Sequence, residues 1–268
     1  MAGVSRVPLV RASVSIPGVR FLRRIGAPAH RFLERSRLPN LEEDPEGFIP
    51  LKQAVEPCHH VVHGAGIENS GVLAAQEVTL RDLGVFGAMV CQSATVGDCI
   101  TAITSPTFTR FSSVRYWTVD VGREHVALCS RLPSSCQLGR ASADAYSTII
   151  VVNTSKAALG TDWNPQALWT DHDPSVAPAF AGIADSPIQF GLPCSGVVFR
   201  RSALAQPIPR FWAPPPTTTM LSAWSGAPGS FSESVQLALQ AASRPEEAAA
   251  DRRAAGGLLL SVRTTPLP

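Results

Sequence analysis

Val114-Arg115-Tyr116-Trp117-Thr118-Val119-Asp120-Val121, followed by Gly122-Arg123 and then His125-Val126-Ala127-Leu128-Cys129, is where the chain changes its periodicity. β-branched and aromatic residues crowd the first run, Gly-Arg is turn material, and a second apolar run follows. The segment therefore predicts a β-hairpin. Downstream, Arg140 to Ala158 contains neither Gly nor Pro and spaces Ala145, Ile149, Val152 and Ala158 at near-helical intervals. That predicts a long helix packed on the hairpin. Short strands are predicted at 166–170, 188–190 and 196–199.

Upstream of the hairpin the signals are helical. Val19, Leu22 and Ile25 recur at helical spacing, Gly26-Ala27-Pro28 breaks the run, and a second helix is predicted at 29–36. Leu51, Ala54, Val55, His59 and Val62 share one face of a segment that Pro57 is expected to kink or cut short. Further helices are predicted at 71–78, 84–91 and 95–103, the last opened by Thr95 as N-cap with Asp98 three residues on. Helices first, then a small, mostly antiparallel sheet with a long covering helix, argue for an α+β fold and against a repeating βαβ pattern.

With 268 residues, 45% of them hydrophobic, the chain can bury one large core or one core with a small appendage. Its formal charge of +2 is unevenly spread: residues 1–40 hold eight arginines against Glu34 alone, and the rest carries 15 basic and 20 acidic groups. Residues 1–18 lack the apolar stretch of an export signal and read as a disordered lead-in. The longest apolar runs, such as Ser147 to Val152, fall far short of the ~18–20 residues that span a membrane. Cys58, Cys91, Cys99, Cys129, Cys136 and Cys194 include no Cys-x-x-Cys pair and read as buried, reduced thiols of a cytoplasmic protein. After Phe211, the run Pro214-Pro215-Pro216-Thr217-Thr218-Thr219 predicts a stiff linker over 212–230.

The candidate chemistry is sparse. Cys58-His59-His60-x-x-His63 has metal-ligand residue types, and on a helix His59 and His63 lie one turn apart, so Cys58, His59 and His63 form a candidate metal cluster. A histidine cluster without a metal is the competing reading, and no cofactor is expected. Cys194 or Cys129 with His125 or His172 could in composition form a nucleophile and base, but no Gly-x-Ser-x-Gly or Walker A pattern is present. Asp171 and Asp173 flank His172 just before Pro174, which reads as an exposed turn. Arg115, Tyr116, Trp117 and Tyr146 are the candidate lining of a small-molecule pocket, with plain packing on the sheet as their other possible role.

Two groups of motifs carry a resemblance. The first is Asp82-Leu83-Gly84-Val85-Phe86-Gly87 with Ser93-Ala94-Thr95-Val96-Gly97-Asp98. The second is Gly160-Thr161-Asp162-Trp163-Asn164-Pro165 with Phe190-Gly191, Val197-Val198-Phe199 and Leu204-Ala205-Gln206-Pro207-Ile208-Pro209. In order and separation they resemble the N-terminal effector-binding domain of AraC-type bacterial transcription regulators. The resemblance covers about residues 19–211. It implies a bacterial cytoplasmic protein, not an enzyme, that binds a small-molecule effector, forms a homodimer and relays occupancy to helix-turn-helix units. Residues 231–268 are expected to be a truncated or vestigial helix-turn-helix region, so that DNA binding would require a complete unit and autonomous binding would be absent. The competing functions are a metal sensor or metalloenzyme built on Cys58, His59 and His63, and a standalone module that forms mixed dimers with a full-length regulator.

Overall fold

The computed structural model describes residues 7–38, 40–106, 111–209, 215–218 and 235–236. The linker and C-terminal region expected over 212–268 lie outside the described residues except at 215–218 and 235–236. The fold opens with β1 (Leu9–Arg11), a short 3-10 turn, α1 (Ile16–Arg24) and α2 (Ala29–Arg35). It continues with β2 (Phe48–Pro50), α3 (Leu51–Ala65), α4 (Ser70–Ala75), α5 (Gly84–Val90) and α6 (Val96–Thr104). The hairpin β3 (Arg115–Val121) and β4 (His125–Arg131) follows, then α7 (Arg140–Leu159), β5 (Ala167–Trp169), β6 (Ile188–Gln189) and β7 (Ser195–Arg200). The fold is α+β.

Strands β1 and β2 pair antiparallel, with Val10 opposite Ile49. The main sheet has the order β3-β4-β7-β5-β6, antiparallel except for the β5–β6 pair. Thr118, Leu128 and Val197 lie in line on the face that α7 covers, where Ile149, Val152 and Phe199 join the main core. A second core fills the N-terminal half around Val10, Leu22, Ile49 and Leu51. The opposite sheet face packs Ala127, Cys129, Cys194 and Val198 beneath Trp117 and Trp169. No helix among the described residues is long and apolar enough to cross a membrane.

Two expectations are corrected. Residues 7–18 are not a disordered lead-in: Leu9 and Val10 are buried in β1, and Arg11 is 1% exposed. The Arg11 guanidinium stacks 3.9 Å over the Phe48 ring and donates to the Glu46 carbonyl. Burial lowers its pKa to about 10, against the pull of Glu46 and Asp44. One arginine of an apparently solvated basic arm is thus part of the core. The second correction concerns Pro57, which does not end the helix, since α3 continues to Ala65. Proline removes one backbone hydrogen bond and crowds the preceding turn, while Pro57 itself lies against an apolar cavity.

Helix α6 begins as its sequence requires. Thr95 Oγ1 accepts from the Asp98 amide at 3.1 Å, and Asp98 Oδ2 accepts from the Thr95 amide at 3.1 Å. Thr79 and Asp82 repeat the device at a 3-10 turn over 80–82.

Helices α4 and α7 meet at Gly71, where a Cβ would overlap the Ser142 carbonyl. Gly71→Ala is therefore expected to push α4 away from α7 and to cost about 1–3 kcal/mol. A denaturant-unfolding midpoint unchanged from the parent would contradict this packing.

Candidate functional site

Helices α1, α3, α4 and α7, with Val10 of β1, Leu33 of α2, Ile103 of α6 and Tyr116 of β3, line an apolar cavity of about 150 Å³. Ser15, Gly18 and Leu22 occupy one face at the start of α1, and all three line it. Alternation along β3 decides which sequence candidates reach this space. Tyr116 shares a face with the α7-covered side and lines the cavity, as does Tyr146 from α7. Trp117 turns the other way and packs with Cys129 and Cys194, and Arg115 is exposed. The structure thus brings Tyr116 and Tyr146 together and leaves Arg115 and Trp117 outside, because neighbours in a strand face opposite sides.

Both tyrosines are tied at the hydroxyl. Tyr146 donates to the Val14 carbonyl at 2.7 Å, and burial pushes its pKa far above the usual value. Tyr116 is hydrogen-bonded to Ser147, and burial raises its pKa to about 12. Each ring is therefore neutral and fixed in orientation.

A second constellation lies at the start of α7. His172 Nε2 is 2.8 Å from Asp144 Oδ2, and Arg140 Nη2 is 2.5 Å from Asp171 Oδ2. Arg140 Nε also lies 3.6 Å from Asp144 Oδ2. The segment around His172 is not an exposed turn: the side chains of Asp171 and His172 are 18% and 14% exposed and that of Asp144 is 4% exposed. Asp173 alone behaves as a turn residue, accepting from the Ser175 amide at 2.9 Å. Sequence reasoning missed Asp144 and Arg140. Their i, i+4 spacing was visible, but nothing local tied them to residue 172.

The carboxylates of Asp144 and Asp171 and the ring of His172 bring donor atoms within 4.8 Å of one another. Arg140 contacts both carboxylates and supplies the positive charge that a cation would bring, so the group is built as an ion-pair network. The candidate metal cluster at Cys58, His59 and His63 does not converge. His59 and His63 rings are 4.2 Å apart, but Cys58 faces the apolar cavity and His59 a separate polar cleft. Successive residues on a helix point about 100° apart. Burial also raises the Cys58 thiol to about 11 and the Cys129 thiol to about 12, so both are held protonated, the opposite of what a ligand or nucleophile needs.

An apolar space walled largely by helices, with two oriented tyrosines in its lining, fits the anatomy of a ligand-binding domain. The chain belongs to the family described as the arabinose-binding domain of AraC transcription regulator, N-term, whose model matches residues 26–208. Among solved structures it is similar to the crystal structure of transcriptional regulator CdpR from Pseudomonas aeruginosa. That similarity has a TM-score of 0.50 at 15% identity over 84% of this chain and 69% of that chain, a likeness of fold. No curated protein sequence matches the chain significantly.

Burial raises the pKa of Asp144 above 3.8, outweighing the hydrogen bond from His172 and the charge of Arg140. A raised carboxyl contributes stability that is complete below the unfolded pKa and is lost as pH rises through the folded value. Asp144→Asn cannot titrate, so its melting temperature should fall less than the parent's between about pH 4 and 7. Parallel pH profiles for the two proteins would show that this carboxyl does not set the dependence.

Proposed function

We propose that the chain is the effector-sensing part of an AraC-type transcription regulator, with the cavity between α1, α3, α4, α7 and β3 as its effector site. The observation that carries this reading is the cavity itself, an unfilled space of about 150 Å³ inside the segment that matches the family. Native interiors are close-packed, with few voids larger than a water. Tyr116 and Tyr146 are the proposed ligand contacts among the sequence candidates.

In this reading the bound state is relayed through the walls of the cavity. Tyr146 joins α7 to the N-terminal turn at Val14, so an occupant that moves this ring also moves the entry to α1. Homodimerisation is proposed as part of the same role. DNA recognition is assigned to helix-turn-helix units outside residues 7–209, and the bacterial cytoplasm is the compartment in which such a regulator would act. Family membership supports these assignments.

Filling the cavity tests the effector site. Nothing lies within 4 Å of a Cβ built at Gly18, and its helical neighbours Ser15 and Leu22 line the same space. Gly18→Leu should retain or raise the ligand-free melting temperature, since glycine inside a helix costs about 0.5–1 kcal/mol relative to alanine. In a thermal-shift screen of metabolites, compounds that stabilise the parent should have no effect on Gly18→Leu. Full retention of the shifts in the filled variant would place the binding site elsewhere.

A further inference from the structure

We infer that the cavity takes a small, uncharged, largely apolar molecule, and not a sugar. This rests on the reading of the cavity as the effector site.

Among the described residues, the lining contains no Asp, Glu, Lys, Arg, His, Asn or Gln. A charged ligand would lose its hydration with nothing opposite to replace it. The polar groups in the wall are a few hydroxyls and one thiol, and most are engaged. Tyr146 is committed to the Val14 carbonyl and Tyr116 to Ser147, while Ser112 Oγ accepts from the Val114 amide at 3.1 Å. Two remain: Ser15, half-buried before α1, makes no capping hydrogen bond, and the Ser70 Oγ, unpaired, is itself closed off from the space.

Size agrees with this chemistry. An apolar cavity of about 150 Å³ stays dry and takes up a molecule of the size of benzene. A pentose such as arabinose would bring four hydroxyls and a ring oxygen into a wall with few free partners. Each hydroxyl left unmatched weakens binding roughly ten- to hundredfold. Toluene matches the volume without a polar group, and benzyl alcohol adds one hydroxyl.

Thermal shift and calorimetry on the full 268-residue chain with toluene, benzyl alcohol and L-arabinose separate the possibilities. Toluene and benzyl alcohol should stabilise the parent, arabinose should not, and Gly18→Leu should abolish both shifts. Arabinose binding that Gly18→Leu removes would overturn the apolar class while keeping the cavity as the effector site. Aromatic shifts that survive Gly18→Leu would instead overturn the cavity as the site, and with it the reading beneath. No stabilisation by either aromatic overturns the proposed ligand class.

Discussion

Helix α7 is buried along much of its length yet is rich in polar side chains, and the rest of the domain hangs on how those groups are satisfied. Ser142, Asp144, Thr148, Thr154 and Ser155 are all buried. Thr148 and Ser155 return their hydroxyls to carbonyls of the preceding turn. The others reach outward. Asn153 donates to the carbonyls of Ala75, Gln76 and Val78, capping the end of α4, and Thr154 accepts from the Leu80 amide. Tyr146 holds the N-terminal turn, and Asp144 and Arg140 hold the segment after β5. An unmade buried hydrogen bond costs more than a made one contributes. The position of α7 therefore fixes four other parts of the chain at once.

That arrangement also explains where the cavity lies. The sheet-facing side of α7 is closed by Ile149, Val152 and Phe199, whereas its other side meets α4 through the Asn153 hydrogen bonds and the Gly71 contact, and the turn before α1 through Tyr146. Close approach at Gly71 sets the separation of α4 from α7, so nearby side chains cannot move in to fill the remaining space. A rigid frame and an unfilled interior thus come from the same helix. The ion-pair network at its first turn stands apart from the cavity and anchors its N-terminal end.

Much of the fold was legible in the sequence because the signals were local. The hairpin showed as two β-rich runs about a Gly, α6 announced itself by Thr95 and Asp98, and α7 by an uninterrupted run free of Gly and Pro. What was hidden depended on partners distant in the chain. β1 and β2 are three residues each and become strands by pairing across the first two helices, with no run long enough to show alternation. Arg11 looked like its neighbours in a basic arm until Phe48 and Glu46 came to enclose it. At the site, Tyr116 and Tyr146 could be named but not separated from Arg115 and Trp117. Which side of the hairpin faces the helix is a matter of register, and a shift of one residue reverses it.

The N-terminal strand closes against the segment just before β3: the Arg11 amide donates to the Phe111 carbonyl, and the Leu9 and Ser113 backbones are joined at 2.8 Å. Residues 9 and 11 thus have their partners about 100 positions later in the chain. At roughly 5–20 residues per second, the ribosome takes on the order of 5–20 s to supply them. For that interval the nascent chain carries an apolar strand and an arginine destined for the interior, both still in water. The N-terminal half of the domain therefore cannot be finished vectorially.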